Sequence, residues 1–443
     1  MQEDKGMGAW LGLACGDALG QAAKGLKPET IKQLYGRLDA FRDVRPFLGR
    51  GVRSYRMQGL YGCPTQLALA AADTLTRTRK ADAERFADIL IRFSTGGPEG
   101  YFGAFRRPDP AVFRTVSRLP DRAYFEKPDL ATDLGSWLTP GLALALFYGR
   151  DSATFRQGLR VLVGMLSAHP WELCGAAVAG FLALRFAGAD LPGETGPWPR
   201  AGEWIGQAAA FAADFEAGLE PAGEPAPARD GMSSLLFDLA ARWQQEGPEN
   251  LEPWICQRAN LLMEPPVRHA AQGRVLTLLP LALVTVLKAA DGFQDTLARG
   301  AAWGREADKL GALAGAWAGA LYGAEAIPDS LRSGLVNLRE VRLRGEALLR
   351  RRPVKGKDLV AMELALTQKE AEERRKHLPR EPKKKSRDSS PALKDLFLEM
   401  GVEWEEDPLA ELREDPRKWR QFEREKTRKK KERRKGPGRG GGF

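Results

Sequence analysis

An all-α fold is predicted for this chain by three features. Alanine- and leucine-rich stretches recur at helical spacing, strand signals are scarce, and one segment carries a glycine at every fourth position. Helical periodicity is clearest at residues 81–93, 155–166, 171–186, 205–218 and 232–245. A further helix should begin at Pro64, whose missing N–H suits a first turn, and run through TQLALAAADTL. Pro170 should open the 171–186 helix in the same way, and VLTLLPLALVTVL at 275–287 reads as a long apolar helix. The Gly- and Pro-rich stretches 188–199 and 221–231 read as surface loops.

The four-residue glycine spacing is Gly311, Gly315, Gly319 and Gly323, within LGALAGAWAGALYG. Glycine every fourth residue lines one helix face, and each costs about 1 kcal/mol relative to alanine, so another element must press closely on that face. The same pattern marks helix pairs in lipid, but this apolar run is about thirteen residues against the roughly 20 a bilayer requires. It therefore predicts a buried helix at the centre of a soluble protein.

Composition bounds the rest. A chain of 443 residues is long enough for one large helical domain with appendages. The four cysteines, Cys15, Cys63, Cys174 and Cys256, lie far apart without a C-x-x-C pair, which points to a reducing cytoplasm and away from a disulfide framework or zinc site. The start, MQEDKGMGAW, has no basic region ahead of an apolar run, so no secretion signal and no membrane association are expected.

Five segments, in order, carry a family resemblance: GLACGDALG at 12–20, GCPTQLAL at 62–69, SAHPWE at 167–172, the apolar helix at 275–287, and GREADKLGALAGAWAGALYG at 304–323, followed by Ile327 and Pro328. Together they resemble the ADP-ribosylglycohydrolases, the group that includes the dinitrogenase-reductase-activating glycohydrolases, over roughly residues 6–350. The resemblance implies an all-α bundle with a cleft holding two magnesium ions, which position ribose and water while the bond to ADP-ribose is cut. It places the metal ligands on T-D-D and D-x-D-T motifs. Here the first motif reads Gly62, Cys63, Pro64 and the second reads Glu306, Ala307, Asp308, Lys309, while a glutamate common four residues beyond GDALG is matched by Lys24. Hard cations need several oxygen ligands, so the resemblance implies a degenerate member with its magnesium site lost.

The matched cleft positions are Asp17, Lys24, Thr65, His169 and Lys309, with Glu306 and Asp308 as ligands if a metal site is retained. Each also has a structural reading. Asp17 would be satisfied by backbone amides, Pro64 is helix punctuation, His169 is a packed or capping residue, and Glu306 and Asp308 pair with Arg305, Lys309 or Arg299.

The domain reading is a helical domain at 1–352, closed by a helix over 331–352; a charged amphipathic helix at 353–378, with Leu359, Met362, Leu364 and Leu366 as its apolar residues; and a disordered linker and tail at 379–443. Within the last part, Leu393, Leu396, Phe397, Met400 and Trp404 form a short docking helix. The final twenty residues hold ten Lys or Arg against two Glu, a net +8 out of +10 for the chain. Arg428, Lys429, Lys430, Lys431, Arg433, Arg434, Lys435 and Arg439, with the GRGGGF ending, form a tract of the kind that binds polyanions. RNA, DNA or the ribosome is the expected partner; a solubilising tail or an acidic protein contact is the alternative. Three functions stay open: a pseudoenzyme without cofactor, an active ribosyl-conjugate hydrolase using Asp17, Glu306 and Asp308 with magnesium, and a metal-free module that binds ADP-ribose or a similar small molecule.

Overall fold

The computed structural model describes residues 3–121, 133–149, 152–189, 200–219, 230–289 and 292–377. The docking segment 391–404 and the basic tail, including Arg428 to Lys435 and Arg439, lie outside them, as does most of both loops expected at 188–199 and 221–231.

Among the described residues there are helices and short 3-10 turns, and no strands. In chain order the helices are α1 (Glu3–Ala23), α2 (Pro28–Tyr35), α3 (Cys63–Thr78), α4 (Ala83–Phe93), α5 (Pro110–Arg118) and α6 (Leu138–Tyr148). The middle of the chain forms α7 (Ser152–Leu162), α8 (Pro170–Ala187), α9 (Ala201–Ala217), α10 (Gly231–Glu246), α11 (Leu251–Ala259) and α12 (Val275–Lys288). The last group is α13 (Phe293–Ala302), α14 (Ala307–Tyr322), α15 (Asp329–Gly334), α16 (Leu338–Leu349) and α17 (Leu359–His377). No described helix is long and apolar enough to cross a membrane.

At the centre, α1 and α14 lie antiparallel with their backbones in contact. The element pressing on the glycine face of α14 carries its own four-residue series, Gly8, Gly12, Gly16 and Gly20. A methyl group on Gly315 would overlap the carbonyl oxygen of Gly12, and one on Gly311 would overlap that of Gly16. Two buried tryptophans tie this pair to its surroundings: Trp10 Nε1 donates to the Val341 carbonyl at 2.8 Å on α16, and Trp317 Nε1 to the Ala179 carbonyl at 2.9 Å on α8. Helices α8, α12 and α13 pack around α14, and α9 and α10 lie outside α8.

Helix starts follow the expected chemistry. Pro64 lies in the first turn of α3, Asp109 caps α5 ahead of Pro110, and His169 caps α8 ahead of Pro170, its Nδ1 accepting from Trp171 N at 3.2 Å. One helix differs from expectation. The segment 331–352 is not continuous: α15 and α16 are separated at Asn337, which takes a left-handed φ of 66°. In α17, Leu359 and Met362 are buried but Leu364 and Leu366 are only half-buried; the rest of the docked face is Val360, Glu363, Thr367, Glu370 and Ala371.

Candidate functional site

The C-terminal half of α1, the N-termini of α3, α5 and α14, and the face of α17 meet in a buried network of alternating charge. Asp17, fully buried on α1, points at the start of α3. Its Oδ2 accepts from Gly62 N at 3.0 Å, Thr65 N at 3.0 Å and Thr65 Oγ1 at 2.6 Å, and its Oδ1 from Gln21 Nε2 at 2.6 Å. Burial and the nearby Asp308 charge push the Asp17 carboxyl up to about 6 despite these donors. Asp17 and Thr65 are therefore spent on anchoring α3 to α1.

Two turns beyond Asp17, Lys24 Nζ reaches Asp308 Oδ2 at 2.6 Å and Glu306 Oε2 at 3.4 Å. Lys309 Nζ sits at 2.6 Å from Asp109 Oδ2, 3.3 Å from Glu306 Oε2 and 2.8 Å from the Leu134 carbonyl. Glu306 thus lies between two ammonium groups. Burial favours the neutral forms, but Asp308 and Glu306 outweigh it at Lys24, and Asp109 and Glu306 outweigh it at Lys309, so both lysines are held above their ordinary range. Asp308 and Asp109 are correspondingly lowered against the effect of burial, chiefly by Lys24 and Lys309 respectively. Of the partners the sequence suggested, Lys309 does pair with Glu306 at 3.3 Å, whereas Arg299 pairs with Asp295 at 2.6 Å and Asp308 finds Lys24 from 284 positions away because α14 begins where α1 ends.

His169 stands apart. It caps α8, makes no hydrogen bond to this network, and burial depresses its imidazole to about 4. Beside it Glu172, buried and pushed up to about 8 by that burial, accepts from Gly135 N at 2.7 Å and Trp137 N at 3.3 Å.

Several members were not singled out from the sequence. Gln21 lies one turn beyond Asp17 and touches both Asp17 and, at 3.4 Å, Asp308. Arg56 donates to the backbone carbonyls of Gln21 and Lys24, closing the C-terminus of α1. Arg107 Nε donates to Gln21 Oε1 at 2.6 Å, and its Nη1 lies 3.0 Å from both oxygens of Glu370 on α17. Next to it, Arg106 pairs with Glu363 at 2.5 Å, and Tyr61 and Gln66 also bond Glu363. The i,i+4 spacing of Asp17 and Gln21 was a usable signal; the pairing of Arg107 with Glu370, 263 positions apart, left none.

The sequence model of the ADP-ribosylglycohydrolase family matches residues 1–365. The chain belongs to that family. Among solved structures, it is similar to an ADP-ribosylglycohydrolase-related protein complex, with a TM-score of 0.52 and 21% identity, covering 79% of this chain and 98% of that one. At that identity the likeness speaks to the fold of the ADP-ribosylglycohydrolases. An uncharacterized protein of Archaeoglobus fulgidus is 30% identical over 131 residues, which are 30% of this chain and 39% of that relative. The aligned stretch thus spans well under half of that relative. Within the ADP-ribosylglycohydrolase match lie all five sequence landmarks, and the first and last of them are the two glycine-lined helices that touch at the centre of the fold.

Proposed function

We propose that this ADP-ribosylglycohydrolase family member is a pseudoenzyme that does not carry out magnesium-dependent hydrolysis, and that its basic tail, which lies outside the described residues, serves contact with nucleic acid or the ribosome. The observation that carries the first part is the position of Lys24 Nζ and Lys309 Nζ among Asp308, Glu306 and Asp109. A magnesium ion demands near-octahedral oxygen ligation. Here one oxygen each of Asp308 and Asp109 is already 2.6 Å from an ammonium group, and Glu306 is shared by both. Asp308 Oδ1, buried and without a hydrogen-bond partner, is a single leftover donor. Of the other buried acids nearby, Asp17 is engaged by four donors and Glu172 by the backbone N–H groups of Gly135, Ser136 and Trp137.

The donor set does not fit a pair of divalent cations. Each unit charge placed 4 Å from an ammonium meets a repulsion of about 4 kcal/mol at an effective dielectric near 20, so a dication meets roughly twice that. The two lysines instead supply, from within the chain, the positive charge that the carboxylates require.

The test is release of ADP-ribose from ADP-ribosylated arginine, ADP-ribosylated serine or the O-acetyl ester with millimolar magnesium. No release is expected, and neither magnesium nor manganese should raise the melting temperature of the wild-type chain. Magnesium-dependent turnover that is lost in Asp308→Ala would overturn the reading and restore a hydrolase with rearranged ligands.

A further inference from the structure

Helix α17 docks on the body of the protein through Leu359, Val360 and Met362 in its first turn and through charge beyond it. Beyond its first turn the deeply buried groups are Glu363, Thr367, Glu370 and the small Ala371, while Leu364 and Leu366 are half-buried. Glu370 has no exposed surface and sits where donors converge. Arg107 Nη1 reaches both its oxygens at 3.0 Å, Met57 N reaches Oε1 at 3.0 Å, and Tyr101 Oη lies 3.5 Å from Oε2. Such a set, one guanidinium, one backbone N–H and one hydroxyl, is what a bound oxyanion ordinarily meets.

The donors exceed what one carboxylate can use. Arg56, adjacent in sequence to the Met57 amide, is 8% exposed and makes no ion pair among the described residues; its Nε is buried without a partner. Arg107 Nη2 is also buried and unpartnered. Both guanidiniums converge on Gln21, Arg56 on its carbonyl and Arg107 on its side chain. Burial, reinforced by the Arg107 charge, lowers Arg56 to about 10. Two largely buried arginines with vacant donors therefore stand beside a single carboxylate that only Arg107 contacts, and a group with more oxygens and a second negative charge would satisfy them better.

We propose that Arg56 and Arg107, with the Met57 amide, form a binding site for a phosphate-class dianion, and that Glu370 of α17 occupies this site in cis. Ligand and α17 compete for it. Entry of the anion releases Glu370, and because, among the described residues, the last two turns of α17 are then held only by buried Ala371 and the contacts of Arg374 with Tyr101 and His377 with Tyr55, they loosen. The site adjoins Lys24, whose carbonyl accepts from Arg56, but uses neither lysine side chain and does not depend on whether the chain hydrolyses anything.

The experiment uses the full chain with inorganic phosphate and, in a second arm, glycerol 2-phosphate, which distinguishes free phosphate from a phosphoryl group on a larger molecule. Hydrogen exchange is followed over residues 366–377, and binding is measured by calorimetry. Either anion should accelerate exchange in that stretch of the wild-type chain. Glu370→Gln should bind the anion about tenfold more tightly, since the internal competitor is weakened, and Arg107→Met should lose the calorimetric signal while the basic tail remains. Unchanged exchange with both anions overturns the proposal, and so does a Glu370→Gln protein that binds no more tightly than wild type. Should either variant fail to fold, the exchange measurement on the unmodified chain decides.

Discussion

His169 shows how one residue can be placed by sequence and yet be given its role only by structure. The position is legible because Pro170 follows it, and a helix start needs a side-chain acceptor. The structure uses the neutral ring for that: Nδ1 accepts from Trp171 N, and burial moves the imidazole from 6.5 to about 4. Between those values the unfolded chain binds a proton that the native chain does not, so this stability is present above pH 6.5 and is lost as pH falls toward 4. The loss should approach roughly 3 kcal/mol. His169→Asn keeps a capping acceptor without the titration; its melting temperature should fall less than that of wild type between pH 6.5 and 4.5, and parallel curves would assign the acid sensitivity elsewhere. The lysines were legible by a different route. Lys24 and Lys309 stand out only against a family pattern that has an acid and a hydroxyl there, whereas Asp109, the partner of Lys309, offers no pattern and becomes a neighbour only once α5 is placed.

Among elements, α1 and α14 were the most legible and also the most incompletely understood from sequence. The glycine series of α14 demanded a close partner, and the matching series of α1 was present in the same chain, yet pairing them needs a register and a direction that spacing alone does not supply. The antiparallel register sets Gly12 against Gly315 and Gly16 against Gly311. Gly315→Ala should therefore cost about 1–3 kcal/mol and Gly315→Leu several, since the backbones must separate. Gly206 on α9 has open space around it, so Gly206→Ala should be neutral or stabilising by up to about 1 kcal/mol. Equal melting temperatures for Gly315→Ala and Gly206→Ala would contradict the packing described. α17 was less legible for a physical reason. Its sequence suggests an apolar face, and Leu359 and Met362 of that face are buried, but beyond them docking rests on Glu363 and Glu370 against Arg106 and Arg107, and a buried charge looks like a solvated one until its partner is known.

For the whole molecule, charge divides unevenly along the chain. Removing residues 424–443 takes away +8 of the formal +10 and leaves about +2, too little for a strong generic attraction to polyanions. Truncation there should reduce binding to mixed RNA by orders of magnitude, and full-length binding should weaken steeply as salt rises from low to physiological. A truncated protein with undiminished affinity and salt slope would place the contact on the helical body instead. The central helix pair has a consequence of another kind, in time instead of space. Trp10 bonds a carbonyl 331 positions later, and Lys24 an acid 284 positions later. During synthesis α1 emerges well before α14, which supplies the surface that fits its glycine face. Its own glycines make it a weak helix in isolation, so for most of translation this segment waits unpaired, and assembly of the core is a late, long-range event.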